Sequence, residues 1–165
     1  MKSVSPMRRT VVYMSHPLSG DFSGNIHKAG MWYQFARRLS YDGVMKLLGE
    51  EPKSVAEYKK VIDGTGIPKE SHYMIGKSFG RDRLPVFIAP WLTCPVADQH
   101  YPGGRPKAMD DGITVVIRCA DELWHFGGRV SPGMEEEASH ARIVRDLTFW
   151  GEHPPIWSDA KLFIP

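Results

Sequence analysis

Cysteine is scarce in this chain: Cys94 and Cys119 are the two among 165 residues, and they form no CxxC pair. Their scarcity argues against a disulfide framework and fits reduced thiols in a cytoplasmic protein. No apolar run approaches the ~20 residues that a membrane-spanning helix needs. The basic segment Met1–Arg9 is followed by the short apolar run Thr10–Met14, with no signal-peptide cleavage pattern. Charge of one sign is missing too. Twenty-one Lys and Arg against 19 Asp and Glu leave a formal net charge of +2, too little to favour nucleic acid or an anionic membrane. Aromatic and basic residues do not interleave as a nucleic-acid platform requires. The seven histidines show no HxxxH or HxH spacing, so no zinc site is implied. Repeats and low-complexity segments are absent.

What is present is an ordinary globular composition, 42% apolar and 24% charged, on a chain long enough for one sizeable core. Thr10–Met14 predicts a buried strand, followed by the polar loop Ser15–Asn25. Ile26, Ala29, Trp32, Tyr33, Ala36 and Leu39 then recur at helical spacing, with Asp42-Gly43 as the expected stop. Pro85–Pro90 predicts a second strand and Asp121–Phe126 a third. Pro132 to about Arg145 predicts a helix, and Leu147–Trp150 a short final strand. The segment from Met109 to Cys119 suits a helix, yet Ile113–Ile117 is β-branched throughout and suits a strand as well. Alternating strands and helices predict an α/β three-layer sandwich, with a flavodoxin- or Rossmann-like, mostly parallel sheet of about four to five strands. The expected organisation is a single domain over residues 1–165, with 44–83 a helical insertion and the tail after Trp150 packing as irregular chain.

The richest segment is Ser131-Pro132-Gly133-Met134-Glu135-Glu136-Glu137. Ser is a good N-cap and Pro is favoured at the first helical position, so a helix begins here just after a strand. That places carboxylates at the carboxyl edge of the sheet, where α/β folds bind ligands. Glu137 shares a helix face with Gly133 and Ala141, both small enough to admit a close neighbour, while Glu135 and Glu136 point elsewhere. The same carboxylates also suit a helix amino terminus through its macrodipole alone, at roughly a few tenths of a kcal/mol each. In the first loop, His16, Ser19, Asp21, Ser23 and Asn25 beside two glycines suit a phosphate or sugar hydroxyls, and suit plain turn chemistry equally. The loop matches neither GxGxxG nor the P-loop pattern. Asp110 and Asp111 suit a cap or turn, or a proton-exchanging group in a pocket. A lone histidine such as His125, His140 or His153 suits a structural hydrogen bond. Asp121, at the head of a strand, is expected to contact a neighbouring helix end.

Taken in order, Tyr13-Met14-Ser15-His16-Pro17, the helix from Asn25 to Leu39, Ala120-Asp121-Glu122-Leu123-Trp124 and the Gly133–Ala141 segment resemble the nucleoside 2-deoxyribosyltransferase-like superfamily. His16-Pro17-Leu18, Ala89-Pro90-Trp91-Leu92 and Ser131-Pro132-Gly133-Met134 resemble a phage-associated branch of it. The likeness spans roughly residues 10–43 and 85–150. It implies that Glu137 is a nucleophile attacking the anomeric carbon of a nucleoside or nucleotide, forming a glycosyl ester that water or a second base resolves. It assigns assistance of the departing base to Asp110 or Asp111 without separating them. Sugar or phosphate would fall to His16, Ser19 and Asn25, with Tyr13, Ser131 and Gly133 also lining the site and Trp91 offering a surface for the base. No cofactor or metal is expected, and the resemblance implies a homo-oligomer. Ser131 departs from it, because the transferases commonly carry an aspartate there that helps hold the base or proton. The expected function is therefore N-glycosidic cleavage or base exchange on a small (deoxy)nucleoside. The alternatives are a module that binds a nucleotide-like ligand without cleaving it, and an accessory protein whose insertion mediates protein contacts.

Overall fold

A computed structural model describes residues 9–49, 84–92 and 104–164. Most of the expected insertion, residues 50–83, lies outside the described residues, as do Cys94 and the polar stretch through Gly103. The described chain forms β1 (Val11–Ser15), α1 (Phe22–Arg38), α2 (Tyr41–Leu47), β2 (Val86–Ile88), α3 (Gly104–Cys119), β3 (Glu122–His125), α4 (Pro132–Ser139) and β4 (Val144–Asp146). All strands are parallel, in the order β2-β1-β3-β4. Helices cover both faces, so the α/β Rossmann-like sandwich expected from the alternation of elements is the fold. No helix among the described residues is long and apolar enough to cross a membrane.

Side-chain alternation on β1 divides the core in two. Val12 and Met14 face a cluster built from Trp32, Ala36 and Leu39 around α1, Val44, Met45 and Leu47 of α2, and Phe87, Trp124 and Phe126. Tyr13 faces the other way, onto Val116 of α3 and Leu123, with Ala138 of α4 packed alongside. Register pairs Tyr13 with Leu123 and Ser15 with His125, so those four side chains share the face under α3 and α4.

Several element boundaries differ from the sequence expectation, each for a local reason. Asp42-Gly43 does not stop α1. The break comes at Leu39, whose backbone is extended, and Ser40 then caps α2 by accepting from the Gly43 N–H. Gly43 is small because the carboxyl-terminal chain crosses it: a Cβ there would lie 2.5 Å from the Leu162 carbonyl oxygen. Helix α4 ends at Ser139 rather than near Arg145, so Ala141 is not on the helix with Glu137. The last strand is Val144–Asp146, and Thr148–Trp150 is a 3-10 turn whose Trp150 indole donates to the Leu47 carbonyl at 2.8 Å. Asp121 ties β3 to β1, accepting from the Val11 N–H at 2.8 Å. The tail is less irregular than expected. It includes a 3-10 turn over Ala160–Leu162 and an antiparallel bridge between Leu39 and Phe163.

Candidate functional site

In this strand order the chain leaves β1 for β2 on one side and later reaches β3 on the other. The crevice between the carboxyl ends of β1 and β3 is therefore the topological switch point, the usual ligand position in open parallel sheets. Glu137 lies there. Its Oε1 accepts from the Tyr13 hydroxyl at 2.9 Å and its Oε2 from the Ser15 hydroxyl at 2.5 Å. Both partners project from β1 on one face, two residues apart, and reach the two oxygens of one carboxyl group. Burial pushes the Glu137 pKa above the usual carboxylate value, and the nearby Glu136 charge adds to this. The two hydroxyl donors act in the opposite direction and are outweighed. Burial and the Glu137 charge raise the Tyr13 phenol well above its ordinary value, so it stays protonated and donates.

The neighbouring helices are shaped to let this happen. Ser131 caps α4 by accepting from the Met134 N–H at 3.4 Å, and Met134 Sδ accepts in return from the Ser131 N–H. One turn on, the helix delivers Glu137 to the sheet, while Glu135 and Glu136 are exposed. Helix α3 approaches through Gly112. A Cβ there would lie 2.9 Å from the Tyr13 hydroxyl oxygen and 3.4 Å from Glu137 Oε1. Gly133 faces the Met109 methyl, 2.8 Å from where its own Cβ would stand. Val116 lies one turn beyond Gly112 and is buried in the same cluster as Tyr13, which fixes the inner face of α3. Asp110 and Asp111 lie on its outer face. Both are exposed, and Asp111 is held by Lys107 at 2.5 Å. They are not brought together with Glu137.

The loop after β1 packs against the turn after β3. Asn25 donates to the Ser19 carbonyl at 2.9 Å, and Arg129 reaches the same oxygen at 3.4 Å. Asp21 caps α1 through the Gly24 N–H. His16 is buried at 7% exposure, its Nδ1–H bonded to the Pro17 carbonyl at 2.9 Å and its Nε2 without a hydrogen-bond partner. Gly127, at φ +93°, admits the ring: a Cβ there would lie 2.5 Å from His16 Nε2. Burial above all lowers the His16 pKa to about 4, and the nearby Lys28 and Arg129 charges help, so the imidazole is neutral. Trp91 is half-buried beside it, ring centroids 6.5 Å apart, with its indole N–H donating to the Met14 carbonyl at 2.7 Å.

Sequence reasoning passed over two features. His125, set aside as a structural histidine, ends β3 opposite Ser15. Ser15, which the sequence presents as part of a turn motif, holds Glu137 directly. Strand alternation alone contained the signal, since Ser15 must share the Tyr13 face once β1 is placed.

No group of three or more His, Cys, Asp or Glu side chains that could hold a metal ion occurs among the described residues. The model of one family, a domain of unknown function (DUF7768), matches residues 66–146. The match takes in β2, α3, β3, α4 and β4, and with them Glu137, but not the β1 residues that hold it. It begins inside the stretch expected to be an insertion. No curated protein and no solved structure matches the chain.

Proposed function

We propose that this chain cleaves the N-glycosidic bond of a small nucleoside or nucleotide, by hydrolysis or base exchange, with Glu137 as nucleophile. One observation carries the reading: at the sheet's switch point, a partly buried carboxylate is oriented through both oxygens by the hydroxyls of Tyr13 and Ser15. Neither hydroxyl is a cation, so neither neutralises Glu137 as an arginine or lysine would. That distinguishes this carboxylate from a structural ion pair. Each oxygen keeps a second lone pair for the substrate.

In the proposed reaction, one Glu137 oxygen attacks the anomeric carbon as the bond from that carbon to the base nitrogen breaks. The base leaves with the bonding pair and takes a proton from solvent. The carboxylate stabilises the oxocarbenium-like charge and closes to a glycosyl ester. Water or a second base then attacks the same carbon and frees Glu137. Tyr13 and Ser15 hold the carboxylate in its attacking rotamer. We assign no acid role to Asp110 or Asp111, which face solvent. The resemblance to nucleoside 2-deoxyribosyltransferase-like proteins supports the reaction class and a homo-oligomer. Ser131, which is occupied in capping α4, leaves base exchange without the carboxyl group that the transferases place there.

The test is incubation with ribo- and deoxyribonucleosides and their 5′-monophosphates, following free base by chromatography, beside Glu137→Ala and Glu137→Gln. The expected result is base release that falls on the order of 10³-fold or more in both variants. Release that survives them removes Glu137 from the mechanism. Binding with no release from any substrate replaces the enzyme by a ligand-sensing module.

A further inference from the structure

His125 is 5% exposed, and its Nε2 is a buried polar atom with no hydrogen-bond partner. Such atoms are rare in folded proteins, because a buried polar atom left unpaired has lost its water and gained nothing in exchange. The ring is not loose. It bonds to the backbone of Met134 in the first turn of α4, and since Nε2 is unpartnered this bond uses Nδ1. An imidazole that donates through Nδ1 presents a bare lone pair at Nε2. The charged groups facing it are Asp146 on β4 and Glu135 on α4, which favour the protonated ring. Burial outweighs them and holds the pKa below the ordinary histidine value. The position is equally specific. His125 is the last residue of β3 and the register partner of Ser15, whose hydroxyl holds Glu137 Oε2. Side chains of partnered residues on adjacent strands project from the same sheet face. The chain then turns away through Gly127 and Gly128, both at positive φ.

We infer that His125 is a substrate-binding residue of the Glu137 site, whose Nε2 accepts a hydrogen bond from a hydroxyl or amino group of the bound nucleoside. The inference rests on the nucleoside reading above and adds a specificity element to it: a ligand that lacks a donor at this point leaves the Nε2 lone pair buried and unpaired. Because β1 and β3 are neighbours, the fold stands His125 beside Ser15, the residue that holds the nucleophile.

Two substitutions separate this role from a structural one. An asparagine amide reaches about as far as Nδ1, so His125→Asn keeps the tie to Met134 and removes the acceptor. A glutamine amide reaches about as far as Nε2, so His125→Gln keeps an acceptor and gives up the tie. Both are made in the Glu137→Gln protein so that bound nucleoside is not consumed. Dissociation constants for adenosine, 2′-deoxyadenosine and purine riboside are measured by calorimetry, and thermal unfolding is followed alongside. The expected result is about tenfold weaker binding in His125→Asn, the loss of one hydrogen bond, with His125→Gln within a few-fold of its parent. A penalty that vanishes with 2′-deoxyadenosine assigns the donor to the sugar 2′-hydroxyl. One that vanishes with purine riboside assigns it to the base amino group. Unchanged affinity in His125→Asn, or weaker binding in His125→Gln alone, overturns the assignment and leaves the cleavage reading intact. No base release by the unaltered protein from any nucleoside or 5′-monophosphate of the panel above, together with no binding of any of them by the parent, overturns both.

Discussion

At the scale of single residues, burial decides the chemistry more than charge does. Glu137, Tyr13, His16 and His125 are each shifted toward the neutral form with desolvation as the leading cause. For His16 this has a measurable consequence for the whole chain. Its pKa is about 4 in the fold, against about 6.5 for an unperturbed imidazole. Between those values the unfolded chain binds the extra proton and the folded one does not. Stability is therefore complete above pH ~6.5 and is lost as pH falls toward 4. Between pH 7 and pH 4.5 this one group removes about 2 kcal/mol. His16→Asn, whose amide can still reach the Pro17 carbonyl, lacks that titration. Urea unfolding at the two pH values is expected to show the unaltered protein losing about 2 kcal/mol more than the variant. Equal losses would mean that His16 titrates in the fold as it does in the unfolded chain.

At the scale of elements, α3 is the piece whose form decides whether the site exists. Its β-branched run Ile113–Ile117 left helix and strand equally open in the sequence, and the helix wins for a reason that lies outside that run. Tyr13 and Leu123 on the sheet offer an apolar face, and Gly112 and Val116, one turn apart on a helix, pack against it together. Thr114 adapts by donating to the Asp110 carbonyl one turn back, at 2.8 Å. The aspartates that drew attention in the sequence end on the solvent side, because Gly112 and Val116 set the inner face. A glycine's lack of a side chain is invisible to a search for reactive groups, yet here it is what lets α3 close over Tyr13. Strand β4 was misplaced for the opposite reason. Val144-Arg145-Asp146 has no apolar run, whereas Leu147–Trp150 has one and spends it on a packed turn. Gly112→Ala tests the closeness of α3. Alanine gains about 1 kcal/mol of helix propensity, while its methyl would stand 2.9 Å from a phenol oxygen carried by a rigid buried ring. Stability is expected to change by less than about 1 kcal/mol while base release falls roughly tenfold or more, as the Tyr13 bond to Glu137 is displaced. Unchanged release would show that this alignment has slack.

At the scale of the whole molecule, the site depends on β1 and β3 staying side by side, and β3 is held to its outer neighbour β4 by more than backbone bonds. Glu122, its side chain fully buried, accepts from Arg145 Nε at 2.9 Å and from the Trp124 indole at 2.7 Å. Register explains the cluster: Trp124 pairs with Arg145, and Glu122 lies two residues back on the same face, opposite the face that carries Glu137. In the sequence Glu122 was only a letter inside a strand motif, because its partner lies 23 residues on. No local pattern announces a buried ion pair between strands. Removing one member takes the buried pair apart, so Glu122→Ala is expected to cost about 3–5 kcal/mol. At roughly 2–4 °C per kcal/mol for a chain of this size, the melting temperature falls on the order of 10 °C. Arg145→Ala should act similarly but less severely, since Arg145 is 22% exposed and carries the more hydrated partner's share. The double substitution Glu122→Leu with Arg145→Leu should recover most of the loss, because apolar replacement of a buried pair is close to neutral. Thermal unfolding of the three proteins decides it. If the double variant is as unstable as Glu122→Ala, the pair supplies attraction well beyond its desolvation cost and itself anchors β4 to the sheet. If all three melt together with the unaltered protein, packing around Trp124 holds the β3–β4 edge without it.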